Sequence, residues 1–244
     1  MPADPSKTVL ILGANSDVAR QAMLKYIARG DAVIAASRST AALEQFAQAA
    51  DARPDRITVR YFDAADFASH AEFYRSLPAK PHIVVYAAGF LVQNERALTH
   101  FPDALQMMKV HYAGAVSILN LVVADSENPH LERIVGLSSL SGVRGRKSNF
   151  VYGSSKAAFT TYLTGLRQLL YPRGVKVHII VAGYIRSKMT AGLELTESLL
   201  LEPEFIARSV VSPGNRRTLV PGWKWKLIYQ ILRLLPERLV AKLP

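Results

Sequence analysis

The sequence predicts one α/β domain on a doubly wound parallel sheet of about seven strands, with helices on both faces. Three observations lead there. Short apolar, β-branched runs alternate with helix-length periodic segments from residue 8 to residue 181, the pattern of successive βαβ units. The first run opens into a glycine-bearing turn and a helix, which leaves amide N–H groups and a helix dipole facing a phosphate. Gly13, Arg38, Asp63, Gly89, Ser139 and Gly183 each fall just past a predicted strand, where open parallel sheets bind ligands.

Composition fits that fold. A chain of 244 residues, half of them hydrophobic, supports one substantial core. There is no cysteine, hence no disulfide, no thiolate chemistry and no Cys-based metal site; no metal is expected. No apolar run is read as reaching the roughly eighteen residues of a membrane span. Residues 1–13 run straight into a strand without the plan of a signal peptide, so a cytoplasmic protein is expected. The net charge of +11 predicts an anionic partner, a phosphate-rich ligand or a lipid surface. No nucleic-acid motif is present, and none of that partner class is expected.

Taken in order, the strand at 8–12 leads to Gly13-Ala14-Asn15-Ser16-Asp17-Val18-Ala19 and a helix to about residue 29. Phosphates are expected on the backbone of Gly13, Asn15 and Val18, with Ser16 in the same turn. Asp17 is expected to cap the helix from the side, because its carboxylate suits a helix N-terminus but repels a pyrophosphate. The strand at 32–36 ends in Ser37-Arg38. An acidic residue here would hold an adenosine ribose, whereas arginine accommodates a 2′-phosphate, so NADP(H) is preferred over NAD(H). A helix at 40–50 and a strand at 57–61 lead to Asp63. The strand at 82–86 runs into Ala87-Ala88-Gly89, whose glycine permits close backbone approach. A long helix, 101–124, carries His111. The strand at 133–138 delivers Ser139, and the next helix bears Tyr152 and Lys156 before Pro172-Arg173-Gly174 ends it. The strand at 175–181 leads to Ala182-Gly183-Tyr184-Ile185-Arg186-Ser187. Residues 188–200 are expected to form a substrate lid with Gly192 as a hinge.

Tyr152 and Lys156 are four apart on a helix and share a face. An ammonium beside a phenol favours phenolate and lowers a pKa that normally lies near 10, making a proton donor or acceptor for neutral pH. Ser139, at a strand end, can hold a substrate oxygen. With this Ser139, Tyr152-x-x-x-Lys156 set downstream of the Gly13 turn, the chain resembles the short-chain dehydrogenase/reductase family over nearly its full length. The resemblance implies a Rossmann-type fold and NAD(P)-dependent oxidoreduction. Tyr152 would exchange the proton, Ser139 orient the carbonyl, and Lys156 tune the tyrosine and hold the nicotinamide ribose. It implies cofactor contacts at Gly13, Asn15, Ser16, Asp17, Val18, Arg38, Asp63, Ala88, Gly89, Gly183, Ile185 and Ser187, and a homo-oligomer. The chain departs from the family pattern at Asp17 and Ala19 (glycines), Ala87 (asparagine) and Ala182 (proline). His111 stands where the family has an asparagine that holds a proton-relaying water. A histidine titrates near pH 6.5, so it either replaces that relay or packs without a role.

From Arg216 onward seven basic residues (Arg216, Arg217, Lys224, Lys226, Arg233, Arg238, Lys242) face one acid, Glu237. Residues 1–220 read as the reductase domain and 221–244 as its amphipathic basic extension. Within the extension Lys226, Gln230, Arg233 and Glu237 share one helix face, and the remaining arc, with Trp223 and Trp225 at one end, is apolar. Such a helix suits a membrane interface, or packs on the domain or on a second subunit. Phe62-Asp63-Ala64, residues 148–156 and the closing Trp/Arg/Leu/Pro segment look like the family branch that includes decaprenylphosphoryl-2-keto-pentose reductases. That likeness implies a lipid-linked ketosugar as substrate and a peripheral position on the inner face of the cell membrane. The alternatives are a soluble reductase of a small carbonyl compound, with the helix used for oligomerisation, and a non-catalytic nucleotide-binding scaffold.

Overall fold

The computed structural model describes residues 6–50 and 52–240; the first five residues and Lys242 lie outside the described residues. β1 (Thr8–Leu12) shows how the pattern becomes a core. Successive side chains of a strand point to opposite faces: Val9 and Ile11 join one apolar layer, Leu10 and Leu12 the other, all four fully buried. β2 (Ala32–Ser37), β3 (Ile57–Tyr61), β4 (Ile83–Tyr86), β5 (Arg133–Ser139), β6 (Lys176–Ala182) and β7 (Thr218–Leu219) complete a seven-stranded sheet. All pairs are parallel, in the order β3-β2-β1-β4-β5-β6-β7. Strand order reverses between β1 and β4, and the crevice past their carboxyl ends is where such a sheet binds ligands.

One layer is covered by α1 (Asp17–Ala28), α2 (Thr40–Ala49) and α8 (Pro203–Val211). The opposite layer takes α3 (His70–Arg75), α6 (Gly114–Ala124), α7 (Phe150–Leu170) and α9 (Trp223–Leu234). α4 (Asn94–Thr99) and α5 (Phe101–Met108) build a smaller apolar cluster beside the cleft mouth, and α10 (Glu237–Val240) ends the described chain. Sequence reading placed neither α4, six residues of mixed polarity, nor α8, which Pro203 opens at a position where a missing N–H costs nothing. The stretch 101–124 is one rod interrupted by a π-turn, Lys109–Ala113. Against expectation, it is long and apolar enough by length and composition to cross a membrane. Here it packs on the sheet, with Val110, His111, Ala115, Ile118, Leu119 and Val122 buried.

The C-terminal helix departs most from expectation. Residues two apart on a helix are about 200° apart around its axis, so the two tryptophans face opposite ways. Trp225 and Leu232 are buried in the domain, whereas Trp223 is 72% and Leu234 82% exposed. Trp225 lies on the backbone of Gly183, where an added Cβ would sit 2.1 Å from the indole.

Candidate active site

The helix α7, which bears Tyr152 and Lys156, is held against the end of β5 at backbone distance. A Cβ on Gly153 would lie 2.5 Å from Ser141 O, and one on Gly142 2.7 Å from Ala157 N. Ser138 Oγ adds a 2.6 Å hydrogen bond to Thr160 Oγ1. Close packing of this loop on α7 brings Ser139, Tyr152 and Lys156 together at one end of a cleft of about 720 Å³. Lys156 is buried and its Nζ donates to Leu137 O at 3.2 Å. Burial lowers its pKa to about 8. Burial pushes the Tyr152 phenol up to about 12, with a hydrogen bond from Ser139 pulling the other way. This corrects the expectation of a phenol acidified by its lysine: burial dominates, and Lys156 Nζ is turned to the Leu137 carbonyl. At neutral pH Tyr152 is therefore a protonated acid.

His111 is fully buried beneath this set, its ring perpendicular to that of Tyr152 at 5.2 Å between centroids. Its Nε2 meets the Phe90 N–H at 3.1 Å and its Nδ1 the Ser155 hydroxyl at 2.7 Å. Burial first, and the Lys156 charge second, hold its pKa well below the ordinary histidine value.

The other end of the cleft is the glycine turn. Gly13 adopts φ +85°, and a Cβ there would strike Ala88 N at 2.4 Å, so only glycine fits. Gly13, Asn15, Ser16, Asp17 and Val18 line the cleft at the N-terminus of α1. The Asn15 side chain donates to Ser37 Oγ and Ser39 O, both at 2.7 Å, and accepts from Arg20 at 2.8 Å, tying this turn to the end of β2. Arg38 lines the cleft and is exposed there without a hydrogen bond or ion pair among the described residues. Asp63 also lines it, with Oδ1 accepting the Ala65 N–H in a local turn. Ala88, Gly89, Gly183, Ile185 and Ser187 close the wall between the two ends.

Asp17 does not cap α1. Its Oδ2 accepts the Lys188 backbone N–H at 2.8 Å and Oδ1 lies 3.7 Å from Lys188 Nζ. The carboxylate is thus turned to the start of segment 188–200, where the opposite charge is. An Ile185–Leu201 bridge joins the two ends of that segment. Trp225 Nε1 donates to Leu199 O at 2.8 Å and Lys224 Nζ to Ser198 O at 3.0 Å, holding its far end. Sequence reading missed Trp225 and the apolar wall of Phe90, Leu91, Val92, Tyr184, Met189 and Leu193. These residues carry no motif, and only tertiary packing brings them to the cleft. No cluster of acids and histidines suited to a metal occurs among the described residues.

These residues fit a dinucleotide: a backbone cradle at a helix N-terminus, a free arginine at the β2 end, and a glycine beside the lysine. Known proteins agree. The short chain dehydrogenase family pattern matches residues 7–198. An uncharacterised oxidoreductase of Mycobacterium tuberculosis is 30% identical over 243 residues, covering 97% of this chain and 96% of that one. One of Streptomyces coelicolor is 29% identical over 252 residues, covering 100% and 99%. A short chain dehydrogenase of Burkholderia cenocepacia, solved with NADP, shares the fold with a TM-score of 0.82 at 20% identity over 96% of this chain and 95% of that one. The chain belongs to the short-chain dehydrogenase/reductase family and is an NAD(P)-dependent oxidoreductase.

Proposed function

We propose that the protein reduces a carbonyl to a hydroxyl and uses NADPH in preference to NADH. The observation that carries this reading is that Ser139, Tyr152 and Lys156 line one end of the same cleft as the Gly13 turn. A bound reduced nicotinamide supplies the hydride. Ser139 Oγ holds the carbonyl oxygen, and Tyr152 gives that oxygen its proton as charge develops on it. The Lys156 ammonium is placed beside Gly89 to hold ribose hydroxyls. Arg38, unpaired at the other end, is available to a 2′-phosphate through a charge-assisted bond of about 1.5–3 kcal/mol. Equilibrium titrations of the native protein should therefore show a roughly tenfold to hundredfold tighter Kd for NADPH than for NADH, and Arg38→Ala should abolish the difference. Equal affinity for both nucleotides, with Arg38→Ala weakening both alike, contradicts it.

The outer face of α9 favours a finer reading. Trp223, Leu227, Ile231 and Leu234 form an exposed apolar stripe beside Lys226 and Arg233, and Glu237, the acid of this region, is paired with Arg144. An amphipathic basic surface of this kind suits an anionic membrane. A cytoplasmic enzyme held peripherally on the inner face would meet a ketosugar carried on a polyprenyl phosphate, the substrate of the branch that the sequence resembles. Flotation with vesicles containing anionic lipid tests this at low salt. The native protein should float, and Leu227→Glu with Ile231→Glu should not, while both bind NADPH. If the native protein stays behind, the substrate is a soluble carbonyl compound and the stripe serves pairing with a second copy.

A further inference from the structure

We propose that His111 is a positioning residue: its neutral ring ties the 88–90 turn to the catalytic helix, and it carries no proton to or from Lys156. The hydrogen-bond directions decide this. A backbone N–H can only donate, so Nε2 accepts from Phe90. The one proton of the neutral ring then sits on Nδ1 and is donated to Ser155 Oγ, whose own hydroxyl is donated to Tyr152 O at 2.7 Å. Each donor in this chain has one acceptor. A proton on Nε2 would set donor against donor and break the Phe90 bond. With Nδ1–H kept, it would also place a cation beside Lys156: the point where a Gly89 Cβ would stand is 3.3 Å from the ring and 3.4 Å from Nζ. Lys156 is the charged group that faces the ring, and no carboxylate among the described residues offsets it.

A relay must gain and lose a proton or exchange tautomers in each turnover, and either change puts a proton on Nε2 and breaks the Phe90 bond. The ring instead fixes the separation between two pieces of the site. One is the turn whose Gly89 backs the lysine; the other is the helix that carries Tyr152 and Lys156. The π-turn at Lys109–Ala113 contains the residue that makes this link. Irregular turns of this kind often occur at functional sites.

The effect on cofactor binding rests on the nucleotide-dependent reading above, whereas the tautomer does not, so the two are tested separately. In the full chain labelled with ¹⁵N, the imidazole signals of His111, assigned by their loss in His111→Gln, should show the Nδ1–H tautomer. They should not shift between about pH 8 and about pH 5.5, a range in which a free histidine titrates. In NADPH titrations, His111→Gln, whose carbonyl reaches the Phe90 N–H, should bind within about threefold of the native protein. His111→Phe keeps the volume and loses both bonds, and should bind roughly tenfold to thirtyfold more weakly. An Nε2–H tautomer, a titration in that range, or native affinity in His111→Phe overturns the proposal. If His111→Phe does not fold, the glutamine variant decides: native-like affinity supports the clamp and a tenfold loss refutes it. If the native protein binds no NADPH, the cofactor reading and the clamp's effect on binding fall together, while the ring signals still decide whether His111 is a neutral clamp.

Discussion

At the scale of single residues, the site separates two ionisations that a reading of spacing alone merges. Tyr152 and Lys156 share a helix face, and that much is legible from four-residue spacing. Which of them titrates near neutrality is not legible, because it depends on how deeply the loop after β5 buries each group. With Tyr152 at about 12 and Lys156 at about 8, the lysine is the group of the pair expected to set an alkaline limit to activity. The ammonium is lost as pH rises through about 8, so kcat/KM for reduction should fall above that point. In Lys156→Arg, which keeps its charge at any such pH, the fall should disappear from this range; an unchanged profile would assign it elsewhere. His111 gives a second pH effect. Its pKa drops on folding, so in acid the unfolded chain binds a proton that the folded chain does not. Stability from the neutral ring is complete above about pH 6.5 and is lost as pH falls below it, by up to about 1.4 kcal/mol per unit. His178 and His82 are lowered in the same sense, so the test is the difference in unfolding free energy between native protein and His111→Gln. The variant should lose less stability in acid, and equal losses would contradict a neutral His111.

At the scale of elements, strands were legible because a sheet covered on both faces turns them into short, nearly continuous apolar runs. The short helices at the cleft mouth were not, since their ends are set by packing. The lid shows what lies between. The sequence suggests residues 188–200 with Gly192 as a hinge, but not the contacts that hold that segment, Asp17 at one end and Trp225 at the other. Trp223 and Trp225 read as one apolar arc because periodicity counts apolar residues without saying which part of the arc meets the domain. Gly183 decides it, by leaving room for the indole on bare backbone. Trp225→Phe should keep the ring on Gly183 and lose the bond to Leu199 O. KM for substrate should then rise several-fold, about the worth of one hydrogen bond, with NADPH affinity unchanged. Trp225→Ala should in addition destabilise the fold by about 3–5 kcal/mol, seen as a lower melting temperature. A phenylalanine variant with native KM would show that the lid does not depend on this anchor.

At the scale of the whole molecule, the order β3-β2-β1-β4-β5-β6-β7 explains why residues spread from Gly13 to Ser187 meet in one crevice. The sequence carried this as an agreement between strand ends, although no single motif was complete. Asp17, which stands in place of a glycine and was expected to cap α1, lines the cleft and holds Lys188. A ligand spanning the crevice should stabilise the whole domain: NADPH at a hundred times its Kd adds about 2.7 kcal/mol, a rise of roughly 5–10 °C in Tm. The central claim is that Tyr152 delivers the proton in a nicotinamide-dependent reduction. Its most direct test is the rate of NADPH consumption by Tyr152→Phe against the native protein, on a carbonyl compound that the native protein reduces. The variant should bind NADPH with native affinity and lose about 10²–10⁴ in kcat; turnover at the native rate would contradict the assignment.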